Sequence, residues 1–285
     1  MGRGVFDCGD IFSNFALYSG SRLQRWLTPH SDSMEKPYIL ISNDDGISAP
    51  GLNFLVETLR PHADLLVVAP DGPRSGMSMS ITSRDPLRYR KVEESEGLTR
   101  YSASGTPADC IKMALNRFIK RRPDLIIGGI NHGDNSSVNA HYSGTMGVAI
   151  EGGLQGYPSV AFSLCNIRHD ADFTPMAPYL VDLTFKAIAM GMPAMTCLNI
   201  NFPDGGHYNG VKVCRMAHSR WVNEIVACKH PHGGEYFWLG GECEELEPEA
   251  EDTDRWALAH GYVAITPTTL DVTAYGLIDV MRSLL

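Results

Sequence analysis

The chain has 285 residues, 44% of them apolar and 20% charged, and carries a net charge of −9. This is ordinary globular composition, long enough for one large domain or a domain with an appendage, and its acidic balance argues against a nucleic-acid polymer as partner, which needs a basic face. No run approaches the roughly 20 apolar residues of a membrane span, and seven widely spaced cysteines without a C-x-x-C pair fit reduced thiols and a cytoplasmic protein.

Residues 1–36 have mixed polarity, no sustained period and no apolar core of a secretory leader, so they read as an extension that is expected to be disordered. Met34 is a second candidate start. From Pro37 onward, short apolar runs alternate with helical patterns. "YILIS" (38–42) reads as a strand, and "GLNFLVETLRP" (51–61) as a helix through Leu52, Leu55, Val56 and Leu59. "DLLVVAP" (64–70) is a strand, and "DCIKMALNRFIKRR" (109–122) a helix with Ile111, Ala114, Leu115 and Phe118 on one face. Then come a strand at 123–131, a helix at 144–154, a strand at 158–164, a helix at 177–191 and a strand at 195–203. Fully apolar strands interleaved with amphipathic helices predict βαβ units around a parallel sheet covered on both faces. Residues 37–205 are therefore expected to form a doubly wound, Rossmann-like α/β core. Residues 206–285 read as a C-terminal β-hairpin and helix extension: hairpin strands, an acidic run at 242–254 expected to be a solvated loop, a strand at 261–273 and a terminal helix at 275–285.

In doubly wound sheets, ligands bind beyond the carboxyl ends of the strands, near the switch point of the topology. The predicted strands exit into Asn43-Asp44-Asp45-Gly46, into "APDGPRSGMSMSIT" (69–82) and into "GGINHGDNSS" (128–137), followed by "HYSGTMG" (141–147). Two neighbouring carboxylates in a cleft are costly unless a cation neutralises them, and oxygen ligands suit hard ions such as Mg²⁺ or Mn²⁺. The same four residues are also good turn chemistry. Asn131 and Ser75 offer further hard oxygens, or plain loop hydrogen bonds. Ser143 or Thr145 caps a helix of small residues whose free N–H groups make an anion site. Thr106, Pro107 and Asp109 form a capping box with a structural role. His132, His141, His218, His230 and His232 are candidate general acids with no partner visible in sequence. Neither a P-loop nor a G-x-G-x-x-G motif is present. A divalent cation beside an anion cradle points to hydrolysis or transfer of a phosphoryl group.

These stretches, in this order, resemble the SurE family, the stationary-phase survival proteins that are metal-dependent nucleotidases. The resemblance rests on "ILISNDDGISAPG", "VVAPDGPRSGMSMSIT", "SGTPADCIKMAL", "PDLIIGGINHGDN", "YSGTMGVAIEG", "YFWLGG" and "GYVAITPTTLDVT", over residues 37–273. It implies a 5′/3′-nucleotidase or acid phosphatase acting on nucleoside monophosphates. One divalent cation, Mg²⁺ or Mn²⁺, is implied at Asp44, Asp45, Ser75 and Asn131, with Ser143, Gly144 and Thr145 near the phosphate. A homodimer or homotetramer that exchanges the C-terminal hairpin and helix is also implied, and Tyr236, Phe237 and Trp238 suit such an interface. Asp134 departs from the pattern, standing where proline is common. Asp44 is the candidate general base or nucleophile. Two other readings compete: an aspartyl-phosphate phosphatase of the haloacid dehalogenase type, which prefers D-x-D to D-D-G, and a nucleotide-binding regulatory module without catalysis.

Overall fold

The computed structural model describes residues 36–168 and 170–285. The expectation for the N-terminal extension therefore lies, apart from Lys36, outside the described residues. The first strand, Tyr38–Ser42 (β1), is buried along its whole length, because its continuous apolar run faces helices on both sides. Helix Pro50–Leu59 (α1) buries Leu52, Leu55, Val56 and Leu59, one stripe at helical spacing. Strand Asp64–Pro70 (β2) then pairs in parallel with β1.

A hairpin that the sequence did not announce follows, Tyr89–Ser95 (β3) and Leu98–Ala103 (β4), with β4 parallel to β2. Its alternation is polar and mostly exposed on β3, so it lacks the apolar run that marks the central strands. Helix Pro107–Met113 (α2) starts on the expected capping box, with Thr106 Oγ1 accepting from Asp109 N at 3.1 Å and Asp109 Oδ2 accepting from Thr106 N at 2.9 Å. It is shorter than the 109–122 expected: it widens into a π turn over Ala114–Phe118 and stops. The end is set by packing, since the Phe118 ring stacks on Tyr101 of β4 at 4.2 Å.

The chain next crosses to the other side of β1 as Leu125–His132 (β5), parallel to it. Helix Gly144–Leu154 (α3), strand Ser159–Leu164 (β6), helix Ala177–Met190 (α4) and strand Thr196–Phe202 (β7) complete the core. The path runs outward through β2 and β4, then returns to β5, so the switch point lies between β1 and β5. The two faces of the sheet carry separate clusters: Ile39, Ile41, Leu55 and Phe162 belong to one, Leu40, Val68, Ile111 and Val148 to the other.

The segment after residue 205 is partly woven into this sheet. Val211–Val213 (β8) is parallel to Val263–Thr269 (β13), which pairs antiparallel with β7. Between them, Ser219–Val222 (β9) pairs with Glu242–Glu245 (β12), and Ile225–Lys229 (β10) with Glu235–Leu239 (β11). The acidic run is thus not a solvated loop throughout: it contributes β12, ion-pairs Arg215 with Glu247 and Asp252, and ends in helix Asp254–Ala259 (α5). The terminal helix is Tyr275–Leu284 (α6). The described residues therefore form an α/β fold with a mostly parallel nine-stranded sheet and a C-terminal extension. No described helix is long and apolar enough to cross a membrane.

Candidate active site

The exit of β1 is built by Asn43 and Gly46. The Asn43 amide donates to Gly46 O at 3.1 Å and its Oδ1 accepts from Gly46 N at 3.2 Å. Gly46 has φ +103°, and a Cβ there would lie 3.1 Å from the Gly72 backbone, so this loop packs directly on the exit of β2. The turn chemistry thus belongs to the outer pair, Asn43 and Gly46, and leaves both acids between them without a role in closing the turn.

Asp44 is 3% exposed. Its Oδ1 accepts from Thr145 Oγ1 at 2.6 Å and its Oδ2 from Gly144 N at 3.1 Å. Burial pushes its carboxyl up to about 6, against the Thr145 hydroxyl and with the charge of Asp45 adding to the rise. Asp45 Oδ2 accepts from His132 N at 3.3 Å, and burial raises that carboxyl too. Asn131 reaches the same place from β5, whose register shifts between Gly128 and Asn131. Its Nδ2 donates to Gly133 O at 2.9 Å. That bond turns Oδ1 toward Thr145 Oγ1, 3.5 Å away.

The sheet edge carries a cleft of about 790 Å³, a size suited to a small organic ligand. Asp44, Ser75, Asn131 and Ser143 line it, so the switch-point exits do converge. Asp45, Gly144 and Thr145 are not on its wall. Ser143 caps α3, its Oγ accepting from Met146 N at 3.0 Å. The first amide of the helix and the Thr145 hydroxyl are spent on Asp44, and Thr145 is fully buried. Gly144 and Thr145, two of the three residues expected near a phosphate, bond the Asp44 carboxylate. Of the five histidines singled out, His132 alone lines the cleft, stacked on Phe173 at 5.0 Å.

Residues suited to a hard cation are present. Among the described residues no three His, Cys, Asp or Glu side chains gather as a metal group, so any site here draws on two carboxylates plus the Asn131 amide oxygen and the exposed Ser75 hydroxyl. All four are oxygen donors, the chemistry of Mg²⁺ or Mn²⁺ rather than of a thiolate metal. The raised carboxyls of Asp44 and Asp45 mark buried negative charge that a cation would relieve.

Sequence reasoning did not reach the other wall. Asp134 faces the cleft, but its charge is taken by Arg255 at 2.6 Å, and Arg255 also pairs with Glu245 at 2.8 Å. Asp134 Oδ1 further accepts from Ser136 N at 2.7 Å. The acid in place of proline therefore ties the Asn131 loop to α5 and β12. Its oddity in the pattern was a signal; its partner, 121 residues away, was not visible.

A doubly wound α/β sheet with hard-oxygen donors at its switch point places this chain among α/β proteins that bind ligands at that point, and such donors suit phosphoryl chemistry. Within that class the sequence is specific: residues 39–223 match the model of the survival protein SurE. The chain belongs to the SurE family. It is 56% identical over 249 residues to a protein of Phocaeicola vulgatus named 5′-nucleotidase SurE, covering 87% of this chain and 97% of that one. A protein of the same name from Bacteroides thetaiotaomicron is 55% identical over 245 residues, 86% of this chain and 95% of that one. The crystal structure of the SurE protein from Aquifex aeolicus superposes with a TM-score of 0.75 at 35% identity, covering 87% of this chain and 99% of that one.

Proposed function

We propose that this protein is a metal-dependent phosphomonoesterase that hydrolyses nucleoside 5′-monophosphates, with 3′-monophosphates as a further substrate, to nucleoside and phosphate. Nucleotidase activity is what its relatives' names support. The observation that carries the metal-dependent reading is Asp44: a buried carboxylate at the switch point, held in one orientation by Thr145 and Gly144, beside Asp45 and Asn131.

Asp44, Asp45, Asn131 and Ser75 would hold one Mg²⁺ or Mn²⁺, which when bound supplies neutralisation of phosphate charge and a water acidified for attack. Thr145 and Gly144 fix the Asp44 carboxylate by two bonds, so its geometry is set before substrate arrives. Asp44 lines the cleft, and in this reading its carboxylate takes the proton of the attacking water. Ser143 is the cleft-lining member of the helix start; its Oγ accepts from Met146 N, which leaves its O–H to donate to a phosphate oxygen. The aspartyl-phosphate reading ranks lower because that class prefers D-x-D after its first strand, where this chain has Asp44-Asp45-Gly46.

The test is phosphate release from a panel of nucleoside monophosphates before and after chelation, with Mg²⁺ or Mn²⁺ restored. Activity is expected to vanish with chelator and to return with the cation. Chelator-resistant turnover rejects the metal; tight nucleotide binding without phosphate release would favour a regulatory module instead.

A further inference from the structure

Three tryptophans lie among the described residues, and they differ in what covers their rings. Trp256 stacks on His260 at 3.8 Å and carries Lys212 over its face at 4.3 Å. Trp238 meets Tyr236 edge-on at 6.4 Å. Trp221 lines the cleft, half-buried, and among the described residues no ring or cation stacks on it. Its orientation is nevertheless fixed. Nε1 donates to Asn139 Oδ1 at 2.9 Å, and Asn139 Nδ2 donates in turn to Asp134 Oδ2 at 3.3 Å. Arg255 holds that same Asp134 oxygen at 2.6 Å. Behind the ring, β9 is paired with β12, and the residue opposite Trp221, Cys243, also lines the cleft.

Two features show what this wall is suited to take. Arg255 is the arginine of the cleft, and in another setting it would be the natural phosphate anchor. Here its charge is compensated by two carboxylates, Asp134 and Glu245, so this side is not set to attract a phosphate and leaves that group to the Asp44 side. Ile167, from the loop after β6, lines the same cleft while 82% exposed. A rigid aromatic plane and an uncovered aliphatic side chain, beside an arginine already paired with two carboxylates, suit a flat, weakly polar ring.

We propose that Trp221, held through Asn139 by the Asp134–Arg255 pair, is the nucleobase platform of the cleft and the residue that makes the enzyme prefer nucleotides over phosphate esters without a base. This rests on the nucleotidase reading for its substrate class, but its test does not need turnover. Every base offers a π face, so stacking on one tryptophan gives affinity with little discrimination among bases.

The experiment is calorimetric binding of adenosine 5′-monophosphate and of ribose 5-phosphate to the full chain, as wild type, Trp221→Ala, Trp221→Phe and Asn139→Ala. Trp221→Ala is expected to weaken the nucleotide roughly 5- to 150-fold and thereby collapse the ratio of the two affinities. Trp221→Phe restores most of that ratio, and Asn139→Ala, with the ring intact but released, falls between. In turnover, the same loss appears in KM rather than kcat. Equal weakening of both ligands would make Trp221 a structural residue and overturn the inference. So would an unchanged nucleotide affinity in Trp221→Ala, or no nucleotide binding by the wild type. Trp221-dependent binding without phosphate release would instead reject the nucleotidase reading and leave the platform standing.

Discussion

Asp44 shows how a single carboxylate is made expensive and useful at once. Its burial lifts the carboxyl to about 6, so without a cation the fold tolerates the charge poorly. Asp44→Asn removes that charge and keeps the shape. It is expected to lower kcat/KM by ~10²–10⁴-fold, while melting in chelator no lower than the wild type; a collapse of the melting temperature would show that the charge is structural. Gly144 makes a complementary prediction. A Cβ at this position would sit 2.7 Å from Asp44 Cβ and 2.9 Å from its Oδ2, so Gly144→Ala must push the acid aside. Its activity should fall with that of Asp44→Asn, and added Mg²⁺ or Mn²⁺ should no longer raise its melting temperature. Thr145→Val removes the hydroxyl, with its bond to Asp44 and its longer contact to Asn131. Hydrogen bonds to charged groups contribute ~1.5–3 kcal/mol, so cation affinity measured by calorimetry should fall at least about tenfold.

Among the elements, the acidic stretch before α5 carries the clearest pH signature. Arg215 pairs with Glu247 at 2.5 Å and with Asp252 at 2.8 Å, and the Arg215 bonds hold the Glu247 carboxyl down at about 2. A carboxyl lowered in the fold stabilises it above the ordinary value of 4.5 and loses that contribution as the pH falls toward 2. Glu247→Gln should therefore melt below the wild type near neutral pH, by a small margin because the pair is exposed, and the gap should close on acidification. A gap that widens toward low pH contradicts the assignment. These elements also mark where sequence legibility ends. The central strands and α3 are read from local apolar runs and one serine cap, because both faces of those strands are covered. The edge hairpin β3–β4 has one polar strand and no such run. The folding of the acidic run into β12 and α5 depends on β9, which pairs with β12, and on Arg215, which meets Glu247 and Asp252 from 32 and 37 residues away. The same limit applies within the site: Asp44 and Asn131 were legible as strand exits, whereas the turning of Thr145 onto Asp44, across 101 residues, belongs to packing.

At the scale of the whole molecule, the apolar surface is unevenly placed. On β11, Phe237, Trp238 and Leu239 are 58%, 64% and 78% exposed, and α6 buries none of its residues while presenting Leu277, Val280, Met281 and Leu284. Those four recur at helical spacing on one stripe, which a helix alone in water has no reason to keep. Exposed apolar faces of this kind mark association surfaces, and the same two elements are those for which self-association was expected from the family resemblance. A second copy of the chain is therefore the expected partner, in a dimer or tetramer. Light scattering behind size exclusion should report at least twice the chain's 31.3 kDa. Leu277→Asp together with Met281→Asp, which changes no cleft residue, should shift that mass toward the monomer while leaving the cation-induced rise in melting temperature in place. A wild type that stays monomeric at high concentration would reject the association, and a doubly substituted chain that stays dimeric would move the interface from α6 to the hairpin.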